Sequence, residues 1–95
     1  AREGELLTKP IIFSGGKLLL NFSTGAAGGV RVEIQDAGGQ PLPGFALADA
    51  ETLYGDSIGR TFVWKGDPDL STVAGRPVRL RFLLQEADVF SLRFL

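Results

Sequence analysis

Val78-Arg79-Leu80-Arg81-Phe82-Leu83-Leu84, followed closely by Val89-Phe90-Ser91-Leu92-Arg93-Phe94, decides the fold class of this chain. Apolar and basic or polar residues alternate along both segments. A period of two belongs to strands with one buried and one wet face. The same alternation recurs upstream. Val30 to Gln35 sets Val30, Val32 and Ile34 inward and Arg31, Glu33 and Gln35 outward. Lys17 to Ser23 places Leu18, Leu20 and Phe22 on one face. Thr61 to Lys65 carries Phe62 and Trp64 on one side, and Gly4 to Thr8 reads as a first strand stopped by Lys9-Pro10.

The connections between these runs are turn-like. Thr24 to Gly29 is small and glycine-rich and is expected to join its flanking strands as an antiparallel hairpin. Gln85 to Asp88 reads as a tight turn between the last two strands. Asp36-Ala37-Gly38-Gly39-Gln40-Pro41 is a strong turn signal, and Pro43-Gly44-Phe45 a second turn with a buried aromatic plug. Ala46 to Tyr54 predicts a helical turn with Asp49 as its N-cap, and Gly55 to Gly59 a further turn. Asp69 is expected to cap a short helical turn, Leu70 to Ala74, closed by Gly75.

About six to eight short strands separated by turns, with almost no helix, predict an all-β fold. The expected form is a single-domain antiparallel β-sandwich of jelly-roll or Greek-key type over residues 1–95, with the long middle segment crossing between sheets. Its expected core is Leu6, Leu18, Leu20, Phe22, Val30, Val32, Ile34, Phe45, Trp64, Val78, Leu80, Phe82, Phe90 and Leu92. The chain has 95 residues, ten Lys and Arg against eleven Asp and Glu, a formal charge of −1, and no His, Cys or Met. A domain of this size buries roughly 60–65% of its extended surface, enough for one core without staples. The charge balance gives no basic excess for nucleic acid, and no apolar run has the length of a membrane span. The cysteine-free composition fits an exported protein as readily as an internal one. A chain that starts at Ala1 and lacks Met is expected to be a piece of a longer protein or a processed product.

Candidate chemistry is sparse. Without His or Cys, acid–base work falls to carboxylates such as Asp49, Glu51 and Asp56, whose ordinary roles are caps and solvated loop charges. Asp67-Pro68-Asp69, with Asp36, has calcium-like loop composition without the EF-hand pattern, and capping accounts for Asp69; no metal or cofactor is expected. Tyr54 and Trp64, with nearby Asp56 and Asp67, form a candidate sugar-binding set, in which a ring stacks on a pyranose and carboxylates take its hydroxyls. Trp64 lies in a strand, where a large aromatic is more often core. Arg31, Arg79, Arg81 and Arg93 all fall on outward strand positions, with Glu33 as their nearest partner. They read as a cross-strand charge ladder, serving solubility or docking another domain. Asn21-Phe22-Ser23 matches a glycosylation sequon in mid-strand.

Several segments together resemble a known module. They are Gly4-Glu5-Leu6 with Thr8-Lys9-Pro10, Gly29 to Asp36, Pro43 to Ala50, Gly55-Asp56, Val63-Trp64-Lys65-Gly66 with Asp69-Leu70, and Ala74 to Phe82. Nearly the whole chain is similar to the β-sandwich at the C-terminal end of bacterial family 32-like glycosidases, where it follows a five-bladed β-propeller. In those proteins the propeller holds the catalytic carboxylates, and none of its motifs occurs here. The resemblance implies a non-catalytic accessory domain, not itself an enzyme, that packs on and stabilises the catalytic domain of the same polypeptide. A carbohydrate-binding module for a poly- or oligosaccharide is the alternative.

Overall fold

The computed structural model describes residues 3–95. Its four strands are β1 (Glu3–Leu7), β2 (Leu18–Asp36), β3 (Asp56–Thr61) and β4 (Val78–Phe94). They form one open antiparallel sheet in the order β1-β4-β2-β3. The all-β, antiparallel expectation holds. Helical structure among the described residues is confined to two 3-10 turns, Leu47–Asp49 and Leu70–Val73.

Two long strands replace four short ones. β2 spans 19 residues and β4 spans 17, and they pair from Leu18↔Phe94 to Asp36↔Val78. The expected hairpin at Thr24–Gly29 and the expected turn at Gln85–Asp88 are therefore corrected. Thr24 pairs with Ala87 and Gly29 with Gln85, so residues 25–28 on β2 face the single residue Glu86 on β4. Both strands bulge at the same place and run on. Glu86 takes the extra turn with φ 43. Glycine richness marked a real irregularity, but a bulge bends a strand without reversing it.

A second bulge lies between Asn21 and Phe22. Asn21 pairs with Ser91 and Phe22 with Val89, which leaves Phe90 unpartnered. The alternation slips by one there, and Phe90 is 70% exposed rather than in the core. Leu6, opposite Phe82 on the edge strand β1, is 50% exposed because nothing covers its side of the edge. Leu92 is half-buried against the core. The other expected core residues are buried, joined by Phe13, Leu42, Leu53, Phe62, Leu70 and Val73.

The loops supply much of that core. Trp64 meets Phe62 edge-on at 4.7 Å and Phe45 at 5.2 Å, while Phe13 stacks on Phe94 at 4.1 Å. The Trp64 indole N–H donates to the Val32 carbonyl at 2.9 Å, which anchors the middle segment beneath β2. Asp36 folds the turn after β2, its carboxylate accepting from Gly38 and Gln40 N–H at 2.9 and 3.0 Å. Asp69 caps Leu70–Val73 as expected, accepting from Ser71 N–H at 3.0 Å. Asp49 does not cap its turn. It is the last residue, and its carboxylate reaches back to Ala46 N–H at 3.3 Å. Residues 56–59, expected as a turn, belong to β3, and of the strand expected at Thr61–Lys65, Thr61 ends β3 while Trp64 makes only an isolated bridge to Ala50.

Candidate functional site

The outer face of the sheet carries the polar residues, in two unlike halves. One half is a charge ladder across β1, β4 and β2. Leu7 pairs with Arg81 and Arg81 with Glu33, so outward side chains from three strands meet. Arg81 donates to Glu5 at 2.6 Å and to Glu33 at 3.4 Å. Glu33, only 3% exposed, also accepts from Gln35 Nε2 at 2.8 Å and from Leu47 N–H at 3.1 Å. Burial alone pushes the Glu33 carboxyl up. The hydrogen bonds from Gln35, Leu47 and Arg81, with the Arg81 charge, outweigh it and hold the group below the ordinary glutamate value. Glu5 is lowered by its hydrogen bond from Arg81 and then by that charge.

Three of the four outward arginines are thus engaged within the chain. Arg79 donates to the carbonyls of Ala37 at 3.1 Å and Thr8 at 3.2 Å, tying the segments after β1 and β2 to β4. Arg31 donates through Nη2 to the Leu47 carbonyl. Arg81 holds the two glutamates. Of the expected charge ladder only the Arg81–Glu33 pair forms among the described residues, joined by Glu5, while Arg79 and Arg31 bond to loop carbonyls instead. The side chain of Arg93, opposite Leu19 at the far end of β4, has no hydrogen bond or ion pair among the described residues.

The other half of the outer face is apolar at its centre. Ile58 on β3 is 91% exposed and Phe90 is 70% exposed. Both border one shallow depression with Asn21, Ser23 and Asp56, and Ile58 also borders a second one with Leu19 and Arg93. Bulges on the two sides of β2 put them there. β3 carries an extra residue opposite Asn21, just as β4 does, and both extra apolar side chains are turned outward. Asn21, between them, is bonded on both sides: its amide donates to Ser91 Oγ at 2.8 Å and its carbonyl accepts from Gly59 N–H at 2.6 Å.

The four residues of the expected sugar-binding set fall in three separate depressions. Tyr54 lines a cleft with Arg31 and Thr52, Trp64 and Asp67 border another, and Asp56 a third. Trp64 is 3% exposed and committed to the core. Asp56 accepts from the Ser23 hydroxyl at 2.8 Å, a cross-strand link between β3 and β2. Among the described residues no three Asp or Glu side chains converge as metal ligands would. Sequence reasoning missed Ile58, read as turn, and Phe90, read as core. Their only sequence signal is an apolar residue beside polar neighbours, which does not reveal a bulge. No family model matches the chain, and no curated protein or solved structure is significantly similar to it.

Proposed function

We propose that this chain is a non-catalytic accessory β-sandwich domain that packs against a catalytic domain of the same polypeptide, as its resemblance to the family 32-like glycosidase module implies. In this reading the bend at the shared bulge folds the two halves of the sheet toward each other over a common core. Leu18, Leu20 and Phe22 from one half and Val30, Val32 and Ile34 from the other are all buried in it.

The observation that carries the proposal is the pair Ile58 and Phe90. Two large apolar side chains stand almost free of the protein on a sheet face, rimmed by Asp56 and Arg93. Exposed apolar surface with a polar rim is the mark of a protein contact. Arg93, whose side chain has no internal partner among the described residues, is the arginine of the original four best suited to reach a neighbour. The docking face is accordingly the bulged half of the sheet, and the ladder of Glu5, Arg81 and Glu33 is internal bracing.

The test is expression of the complete gene product with and without residues 3–95, together with an Ile58→Ser/Phe90→Ser variant of the complete protein. Lower stability and solubility of the truncated form, with the variant intermediate, support docking. Equal stability, solubility and activity of all forms reject it.

A further inference from the structure

The cleft beside Tyr54 lies apart from the docking face and is assembled differently. It has a volume of about 250 Å³ and is bordered by Glu3, Gly28, Arg31, Thr52, Tyr54 and Gln85, with Leu83 and Leu84 on β4 behind them. Two glycines shape it. A side chain at Gly29 would meet Thr52 Cγ2 at 2.5 Å and the Tyr54 ring at 3.4 Å, so the segment 52–54 lies directly over the bare backbone of β2. At Gly28 a side chain would meet the Glu86 carbonyl oxygen at 2.6 Å. The Tyr54 ring therefore lies against Gly29 while remaining 64% exposed. An aromatic ring backed by chain and open outward is a platform for a flat ligand with C–H groups on its face.

Arg31 is the second element. Its guanidinium has one acceptor among the described residues, the Leu47 carbonyl, and its Nε is buried without a partner. That buried Nε is closed to a ligand in the open cleft, so any donation there comes from the terminal N–H groups. The bond to Leu47 fixes the guanidinium beside the cleft, with further N–H groups left to donate. Glu3 and Gln85 on the rim add acceptors, and Thr52 both donates and accepts. A positive and a negative group together on the rim suit a neutral, hydroxyl-rich molecule better than an anion, which Glu3 would repel. The volume lies just below the usual range of ligand sites, roughly 300–1,000 Å³, and has room for one ring at most.

We infer that the cleft between Tyr54 and Arg31 binds a single neutral hexopyranose, its face on the Tyr54 ring and its hydroxyls on Arg31, Thr52, Gln85 and Glu3. The inference rests on this cleft alone and is independent of the docking proposal.

The test is an amide-shift titration of the 95-residue chain by NMR with D-glucose, D-galactose and D-mannose, and with D-glucuronate and D-galacturonate as charged controls. Saturable shifts confined to Gly28, Gly29, Thr52, Tyr54 and Gln85 with at least one neutral sugar are expected. Tyr54→Ala should weaken that binding about tenfold or more, and Tyr54→Phe should retain most of it. Tyr54 is exposed, so these variants keep the fold, and unchanged Trp64 emission verifies that. Arg31→Met should also weaken binding. No saturable response at the cleft with any neutral sugar, or a response indifferent to Tyr54→Ala, overturns the inference. A response to the uronates alone overturns the neutral class.

Discussion

Glu33 on β2 sits directly opposite Arg81 on β4, with 3.4 Å between Oε2 and Nη1, and Glu33 is the more buried of the two. Its two oxygens also serve Leu47 N–H and Gln35, so one carboxylate joins the strand pair to the start of a 3-10 turn. Glu33→Ala should cost about 1–3 kcal/mol, because it leaves buried donors unpaired. Glu5→Ala removes the exposed partner of Arg81 and should cost far less. Urea unfolding followed by Trp64 emission compares the two. Equal losses would show that Glu33 is not the centre of this network.

Acid should weaken the fold in a defined direction. Glu33 and Glu5 both titrate below the ordinary glutamate value in the folded chain. A lowered folded pKa gives stability that is complete above the unfolded value, about 4.3, and is lost as pH falls through the folded pKa. The urea midpoint should therefore stay level from neutrality to about pH 5 and then decline. Glu33→Gln should make that decline shallower. A decline of unchanged slope in the variant would place the acid sensitivity elsewhere.

Two phenylalanines on β4 should behave oppositely. Phe82 is fully buried opposite Val32, and Phe82→Ala should lose about 3–5 kcal/mol. Phe90 is the unpartnered residue of a bulge, and Phe90→Ala should change stability by less than about 0.5 kcal/mol. Chemical denaturation of both variants decides it. A large loss at Phe90 would mean that the register runs straight through and the ring points inward.

Within the central bulge, Gly28 should tolerate no side chain. Gly28→Ala drives a methyl group against the Gln85 and Glu86 carbonyls, which are backbone and cannot swing aside, and should cost about 1–3 kcal/mol. Gly4→Ala meets nothing within 4 Å and should leave stability unchanged or slightly raised. Thermal unfolding of the pair tests this, and a neutral Gly28→Ala would open the shared bulge to revision.

Alternation placed most of the core correctly because burial on a pleated strand repeats every second residue. It read Val30, Val32 and Ile34 as well as Val78, Leu80 and Phe82 without error. It failed wherever the count slips by one. At Phe90 the slip turned a core assignment into a surface one, and at residues 25–28 a bulge imitated a hairpin. Both failures come from bulges, whose extra residues are set by the partner strand: at 25–28 the glycines look the same whether the chain turns back or continues, and at Phe90 nothing in the local sequence marks the slip. The arginines were placed on the correct face. The partners of Arg79 and Arg31, at Thr8, Ala37 and Leu47, are backbone carbonyls outside the strands, for which side-chain patterning holds no signal.

The register of Leu18 with Phe94 also dictates when this protein can fold. None of the long β2–β4 ladder is a hairpin, so no part of it closes locally. On a ribosome, β2 emerges complete while its partner is still untranslated, and its row of Leu18, Leu20 and Phe22 must wait, uncovered, until β4 appears. Such remote pairing is slow, and it exposes strand surface to other chains in the meantime. The yield of correctly folded protein at synthesis therefore depends on how quickly β4 follows β2.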